Sequence, residues 1–448
     1  MFLVICLAWH RVGNEGALEF MRHTQIDSAL FAENRKRLIQ MLLPNSVAVV
    51  NANDLLPTNA DGSLLMQPNS DLFYLSGIEQ EESILLLAPD AFNEKHREIL
   101  FVREPNDLLK IWEGHKHSKE EAIQISGIKE VRWLSEFDGI FQMLMCELEH
   151  VYLNTNEHGR AATTVETRDD RFVRDCKTRF PLHDYQRLAR LLHQLRVVKS
   201  PAEVALITMA VDITDAGFRR VCQFVKPGVN EAEVEAEWAH EFIRKRAYFA
   251  YPPIIAAAAN SCILHYQSND QLCRKGDMLL LDVGAKYANY ASDLTRTIPV
   301  SGRFNRRQRQ VYEAVLRVMR GSINGAVVGK LYRDWHREAH AMMNAELIAL
   351  GLLTAKDVKK QTLEKPACFK YFMHGLGHPL GLDVHDVGYL KEPFAPGWVL
   401  TVEPGIYLPE EGFGVRLENN ILVTESGPID LTAGIPVEPD EIEALMAR

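Results

Sequence analysis

Four carboxylates lie in segments that otherwise read as apolar strands. Asp282 closes Leu279-Leu280-Leu281-Asp282-Val283-Gly284, and Asp293 sits in Ser292-Asp293-Leu294-Thr295-Arg296-Thr297. Glu403 follows Val399-Leu400-Thr401-Val402, and Glu418 lies in Val415-Arg416-Leu417-Glu418-Asn419. A buried, unpaired carboxylate costs several kcal/mol, so such groups are paired, protonated or metal-bound. Period-two alternation puts Arg416 and Glu418 on one face of their strand and aligns Asp293 with Thr295. Histidines accompany the acids: His374, His378 and His385 within residues 372–386, and His265 beside Tyr266. Taken singly, each acid reads as a strand-end salt-bridge partner and each histidine as a packed or exposed side chain. Together they suit a hard or borderline divalent cation, because carboxylates with an imidazole and no thiolate favour Mn²⁺, Co²⁺, Fe²⁺ or Zn²⁺. Four carboxylates could balance two dications. Two such ions about 3.5–4 Å apart can hold a bridging hydroxide and polarise a carbonyl, which is metal-assisted hydrolysis.

Other patterns carry less. His336 and His340 are spaced i, i+4 on a helix, but arginine follows the first, so this is not H-E-x-x-H. Gly375-Leu376-Gly377 lacks the strand-to-helix context and third glycine of a dinucleotide site. There is no phosphate-binding G-x-x-x-x-G-K-[ST] loop and no G-x-S-x-G nucleophile elbow. The basic run at 303–309 reads as a solvated helix start.

The elements that must position these groups fall into two parts. Towards the N-terminus an amphipathic helix at 31–43 precedes apolar runs at 47–50, 84–88, 99–102 and 151–153. Alternating strands and helices predict an α/β layer. A polar stretch at 154–171 reads as an inter-domain region. Ser200-Pro201-Ala202-Glu203 is a capping box with proline at the first helical position. Its helix runs towards Val225 and stops before Pro227-Gly228, and a second box opens at Asn230 with Glu233. Beyond Asp277 the period changes to two: strands at 278–283 and 288–300 with a turn near Lys286-Tyr287, helices at 306–321 and 332–350, then strands at 399–402 and 414–423. That order predicts an α+β domain with helices against a curved antiparallel sheet. The domains expected are an extension at 1–25, an N-terminal domain at 26–195 and a catalytic domain at 196–448.

Composition bounds the rest. The 448 residues are 47% hydrophobic and 25% charged, as in a soluble globular protein of two or three domains. Sixty acids against 50 bases, a formal charge of −10, disfavour a dedicated nucleic-acid binder or an anionic membrane surface. No apolar run is long enough to span a bilayer. Seven cysteines with no C-x-x-C pair argue against a disulfide framework or a cysteine zinc site and for reduced thiols in the cytoplasm. Residues 1–9 are apolar like a signal sequence but lack its basic start and cleavage site, so they read either as a disordered extension or as a start assigned too far upstream, with Met21 the real one.

Residues 195–448 resemble the pita-bread metallopeptidases, a family that includes methionine aminopeptidase, prolidase and aminopeptidase P. The resemblance rests on the Asp282…Asp293 pair, His374-Gly-Leu-Gly-His378, Val402-Glu403-Pro404-Gly405, and Glu418 after Arg416-Leu417. Residues 67–77, Gln-Pro-Asn-Ser-Asp-Leu-Phe-Tyr-Leu-Ser-Gly, are similar to the N-terminal domain of aminopeptidase P and prolidase. The resemblance implies Asp282, Asp293, His378, Glu403 and Glu418 as ligands of two divalent ions, most often Mn²⁺. It implies His265, His374 and His385 as catalytic and substrate-binding histidines, with Tyr407 and Arg416 in support and Glu403 as the base. The implied reaction is attack of a metal-bridging hydroxide on the carbonyl before proline, releasing an N-terminal residue from an Xaa-Pro peptide. Xaa-Pro dipeptide hydrolysis is the alternative. A non-catalytic peptide-binding module and metal-free creatinase-like chemistry are disfavoured by the complete ligand set. A homodimer or homotetramer is implied. One feature departs from the family: residues 387–402 hold no arginine, only Lys391, where relatives carry a guanidinium that recognises the far end of short substrates.

Overall fold

The computed structural model describes residues 22–161, 164–362 and 364–447. The apolar segment 1–9 and Met21, and with them most of the expected 1–25 extension, lie outside the described residues. The chain divides into two compact units. One holds the described residues up to Asn154 together with Val165–Gln186, and the other holds Thr155–Thr164 with Arg187–Arg448.

The first unit follows the order α1 (Ser28–Ile39), β1 (Ser46–Asn51), α2 (Ser70–Ser76), β2 (Ile84–Leu87), β3 (Glu98–Val102), α3 (Asp107–Glu113), α4 (Lys119–Ser126), β4 (Glu130–Trp133), α5 (Phe137–Glu147), β5 (His150–Leu153), α6 (Arg168–Arg179) and β6 (Asp184–Arg187). The six strands form one sheet in the order β4-β3-β2-β1-β5-β6. It is mixed: β1 runs antiparallel to β2 and parallel to β5. Every residue of β1 is buried. That explains its unbroken apolar run, since a central strand covered on both faces has no solvent side to alternate with. Val47, Val49, Leu86 and Phe101 on one face pack against Phe137, Phe141 and Leu144 of α5. Strands β4 and β6 escaped the sequence reading. Their exposed or half-buried polar residues carry no apolar run.

The second unit continues with α7 (Leu188–Val197), α8 (Pro201–Phe224), α9 (Glu231–Arg244), β7 (Tyr248–Phe249), β8 (Ile254–Ala257), β9 (Met278–Asp282), β10 (Ala285–Tyr287), β11 (Tyr290–Ala291) and β12 (Thr295–Pro299). Then come α10 (Arg306–Gly325), α11 (Tyr332–Ala349), α12 (Ala355–Lys359), β13 (Val399–Val402), β14 (Gly405–Leu408), β15 (Phe413–Arg416), β16 (Asn419–Leu422), β17 (Ile429–Asp430) and α13 (Pro439–Met446). Both expected capping boxes form, at Ser200 and Asn230. α8 and α9 pack closely because position 217 is glycine: a Cβ there would meet the Trp238 ring at 2.5 Å. The strands make short antiparallel ladders, β12-β9-β8, β11-β10-β7, β13-β16-β17 and β14-β15.

Two expected strands are each interrupted. The segment 288–300 is two strands, β11 and β12, and 414–423 is β15 and β16. Alternation persists through both breaks in the sequence, so period alone could not reveal them. The turn expected at Lys286-Tyr287 falls instead at Ala288-Asn289, whose φ values are 48° and 65°. Left-handed backbone at both central residues is the geometry of a tight hairpin, and alanine gave no signal for it.

Candidate functional site

The strand breaks place the acids. Asp293 lies between β11 and β12, Glu418 between β15 and β16, and Asp282 at the end of β9, where it faces Thr295 of β12 and Ile254 of β8. Helix α8 anchors this corner, with Thr214 Oγ1 2.7 Å from Ser292 Oγ and accepting from the Ala285 N–H at 3.0 Å. Asn420 pins the break, accepting from the Asp293 N–H at 3.1 Å and donating to its carbonyl at 2.6 Å. The buried Arg296 donates to the Glu418 carbonyl at 2.7 Å, so the second break is also held by its backbone.

His378 reaches the acids from a loop laid beside β13. The Thr401 N–H donates to the His378 carbonyl at 2.9 Å, and the His378 N–H to Thr401 Oγ1 at 2.9 Å. Glycine at 377 permits this approach, because a Cβ there would stand 2.0 Å from the Thr401 carbonyl oxygen. His378 Nδ1 bonds Pro379 O at 2.9 Å, which turns Nε2 to within 3.5 Å of both Asp293 and Glu403. Asp293, His378 and Glu418 bring ligand atoms within 4.8 Å of one another. Asp282, Glu403, His265, His374, His385 and Arg416 line the same cavity of about 340 Å³. Tyr407 stands behind it, fully buried, with its hydroxyl 2.8 Å from His374 Nε2 and accepting from Arg416 at 2.9 Å. Every residue expected at the site is therefore gathered around one pocket.

The electrostatics require positive charge. Burial, with Asp293, Glu403 and Asp282 beside it, pushes the Glu418 carboxyl well above the usual carboxylate range. Burial and Asp293 raise Glu403 to about 7 against the opposing pull of His378 and Arg416. Burial also raises Asp282, with Arg416 opposing and Asp293 adding. Burial disfavours the charged form of His378, but Asp293 and Glu403 outweigh it and raise the imidazole. His374 and His385 go the other way: burial, reinforced by Arg416 and by His378 respectively, pushes each to about 3. Both are neutral at physiological pH.

Two further facts fit a bound cation. Glu418 Oε1 is buried without a hydrogen-bond partner. The Tyr251 hydroxyl lies 2.6 Å from Asp282 Oδ1 and 2.5 Å from Asp293 Oδ1. It has one proton for two carboxylates, so the pair needs either a shared proton or a cation. One imidazole among four carboxylates is a donor set for a hard or borderline dication.

Sequence reasoning missed Tyr251 and Arg160. Tyr251-Pro252-Pro253 gave no signal beyond an extended dipeptide. Arg160 lies in a polar stretch whose composition reads as inter-domain, yet Thr155–Thr164 belongs to the second unit and the Arg160 Nη1 stands 3.2 Å from both ring nitrogens of His385. This guanidinium lines the cavity. The His336–His340 pair brings no acid with it: burial, then His340, pushes His336 to about 3, and both Nε2 atoms are buried without partners.

An acid-and-imidazole pocket on interrupted antiparallel strands defines a metal-dependent hydrolase of the pita-bread class. Residues 205–425 match the family model of metallopeptidase family M24, and residues 31–152 that of the aminopeptidase P N-terminal domain. The Xaa-Pro aminopeptidase of Escherichia coli is 33% identical over 440 residues, 94% of this chain and 98% of that protein. Human Xaa-Pro aminopeptidase 3 is 31% identical, covering 90% of this chain and 81% of its own. Zinc-substituted E. coli aminopeptidase P in complex with product superposes with a TM-score of 0.83 at 32% identity, over 94% of this chain and 99% of that one. The chain belongs to metallopeptidase family M24, in its aminopeptidase P branch, and is a divalent-metal exopeptidase that releases the residue preceding proline. No helix among the described residues is long and apolar enough to cross a membrane.

Proposed function

We propose that Asp282, Asp293, His378, Glu403 and Glu418 hold two divalent cations, Mn²⁺ in the native enzyme, with Co²⁺, Zn²⁺ or Fe²⁺ as substitutes. The observation that carries this reading is the buried, unpartnered Glu418 Oε1 among acids that burial and mutual repulsion drive towards protonation. When bound, the ions supply a deprotonated water and polarise the scissile carbonyl. Glu403, which lines the same pocket beside His378, would accept the proton from the activated water and return it to the leaving amine. His265 and His385 bind the substrate and donate to the developing oxyanion, each such donor contributing about 3–4 kcal/mol. Neutral His374, held by the Tyr407 hydroxyl at 2.8 Å, lines the proline side. Arg416 bridges Tyr407, Thr295 and Asp282 and keeps the Asp282 carboxylate turned inward. Arg160, beside His385, reads the substrate's far carboxylate.

The enzyme works as a homodimer or homotetramer in the cytoplasm. The six described cysteines, all free, are compatible with a reducing compartment. The test is hydrolysis of Xaa-Pro-Yaa peptides and Xaa-Pro dipeptides by protein loaded separately with Mn²⁺, Co²⁺ and Zn²⁺. Cleavage of the longer peptides with highest turnover in Mn²⁺ is expected. Cleavage of dipeptides alone would assign a dipeptidase instead.

A further inference from the structure

We propose that His115, His117 and Glu121 form a separate binding site for a borderline divalent cation of the Zn²⁺ type, in the first unit. The three residues span the loop between α3 and the first turn of α4. Each offers a ligand atom, and these atoms all lie within 4.8 Å of one another. His115 Nε2 is 2.9 Å from Glu121 Oε2. The two imidazoles meet edge to face, with centroids 6.1 Å apart at 78°. A tetrahedral zinc ion with bonds of about 2.0–2.1 Å needs its ligand atoms roughly 3.3–3.4 Å apart. None of the three lines the catalytic cavity.

The plainer account is an ion pair between His115 and Glu121. That pair leaves unexplained why His117 turns its ring to the same point. The backbone around it is also fixed, which is what a preformed site requires. The His117 N–H donates to Gln80 Oε1 at 2.7 Å. The Glu121 carboxylate is oriented by the capping box of α4, accepting from the Ser118 N–H at 2.8 Å. Such outer hydrogen bonds orient metal ligands. The intervening Lys116 is turned to Glu81 and to Glu113, the latter at 3.2 Å, so its charge is neutralised. Glu79 and Glu81 both act electrostatically on the His117 imidazole, adding negative potential. Two imidazoles and one carboxylate suit Zn²⁺ over Mn²⁺ or Mg²⁺, and three protein ligands leave a fourth position for water.

Metal-free protein is titrated with Zn²⁺ against a chromophoric chelator. The double variant His115→Asn/His117→Asn should bind one ion fewer per chain than the wild type, and Asp293→Ala should retain that ion. A second measurement uses the wild type alone, so it does not depend on a variant folding. Excess Zn²⁺ should protect His115 from acylation by diethyl pyrocarbonate, read by peptide mass spectrometry. Equal zinc counts in wild type and double variant, or His115 modification undiminished by zinc, would overturn the proposal.

Discussion

His378 shows how one side chain is committed to its task. Its Nδ1 is tied to Pro379 O at 2.9 Å, leaving Nε2 directed at Asp293 and Glu403. Residues of this kind are visible in a sequence because a carboxylate or imidazole inside an apolar strand pattern demands an explanation. Tyr251 and Arg160 are not visible, because a tyrosine before two prolines or an arginine in a polar stretch demands none. Their roles exist only through partners 31 and 225 residues away in the chain. For Arg160 a specific outcome is expected. A charge-assisted hydrogen bond contributes about 1.5–3 kcal/mol, so Arg160→Met should raise KM for a free-acid Xaa-Pro-Yaa tripeptide roughly 10–100-fold. The C-terminal amide of the same peptide should be nearly indifferent to the change. An equal loss on acid and amide in steady-state kinetics would deny Arg160 the carboxylate-reading role.

Elements set these side chains by where they stop. The paired strand patterns at 288–300 and 414–423 were legible as strands. Their interruptions, which hold Asp293 and Glu418, were not, because a break fixed by Asn420 and Arg296 across the fold leaves the local period intact. The junction of α7 and α8 acts on the site from outside. Lys199 donates to the buried Asp386 at 2.8 Å, and Arg196 to the same carboxylate at 2.6 Å. Burial works to raise Asp386, but Lys199 and Arg196 outweigh it and hold the carboxyl below its usual range. Removing one partner strands a buried charge, so Lys199→Met should cost about 3 kcal/mol, near the low end because Arg196 remains. Urea unfolding measures it. In α11, His336 stacks on Tyr332 with centroids 4.2 Å apart and stays neutral because burial pushes it to about 3. The unfolded chain protonates it near 6.5. Its contribution is therefore complete above pH 6.5 and is lost as pH falls towards 3, at about 1.4 kcal/mol per pH unit. Between pH 7 and pH 5, His336→Phe should lose less stability than the wild type, read from urea midpoints.

At the scale of the whole molecule, metal and fold are linked. An ion that binds only the native state stabilises it by mass action, so chelation should abolish hydrolysis and lower the melting temperature. Without ions the raised Glu403 and Glu418 carboxyls favour protonation in the folded protein. Stability of the stripped enzyme should then fall as pH rises through about 7, and the gap in melting temperature between loaded and stripped protein should widen from pH 6 to pH 8. Calorimetry with and without chelator checks this; a gap independent of pH would count against the linkage. The two-part organisation was legible in the capping boxes and the change of period. The return of Thr155–Thr164 to the second unit was not. That return has a consequence for the gene. The matches to the two family models, 31–152 and 205–425, leave residue 160 in the gap between them. A fragment cut to the catalytic match, or begun at residue 187 where the second unit resumes, would keep every acid and histidine of the pocket and Arg416, and lose Arg160. The pocket is thus written in two separate passages of coding sequence, and an exchange of halves between relatives would carry its acids and histidines across while leaving Arg160 behind.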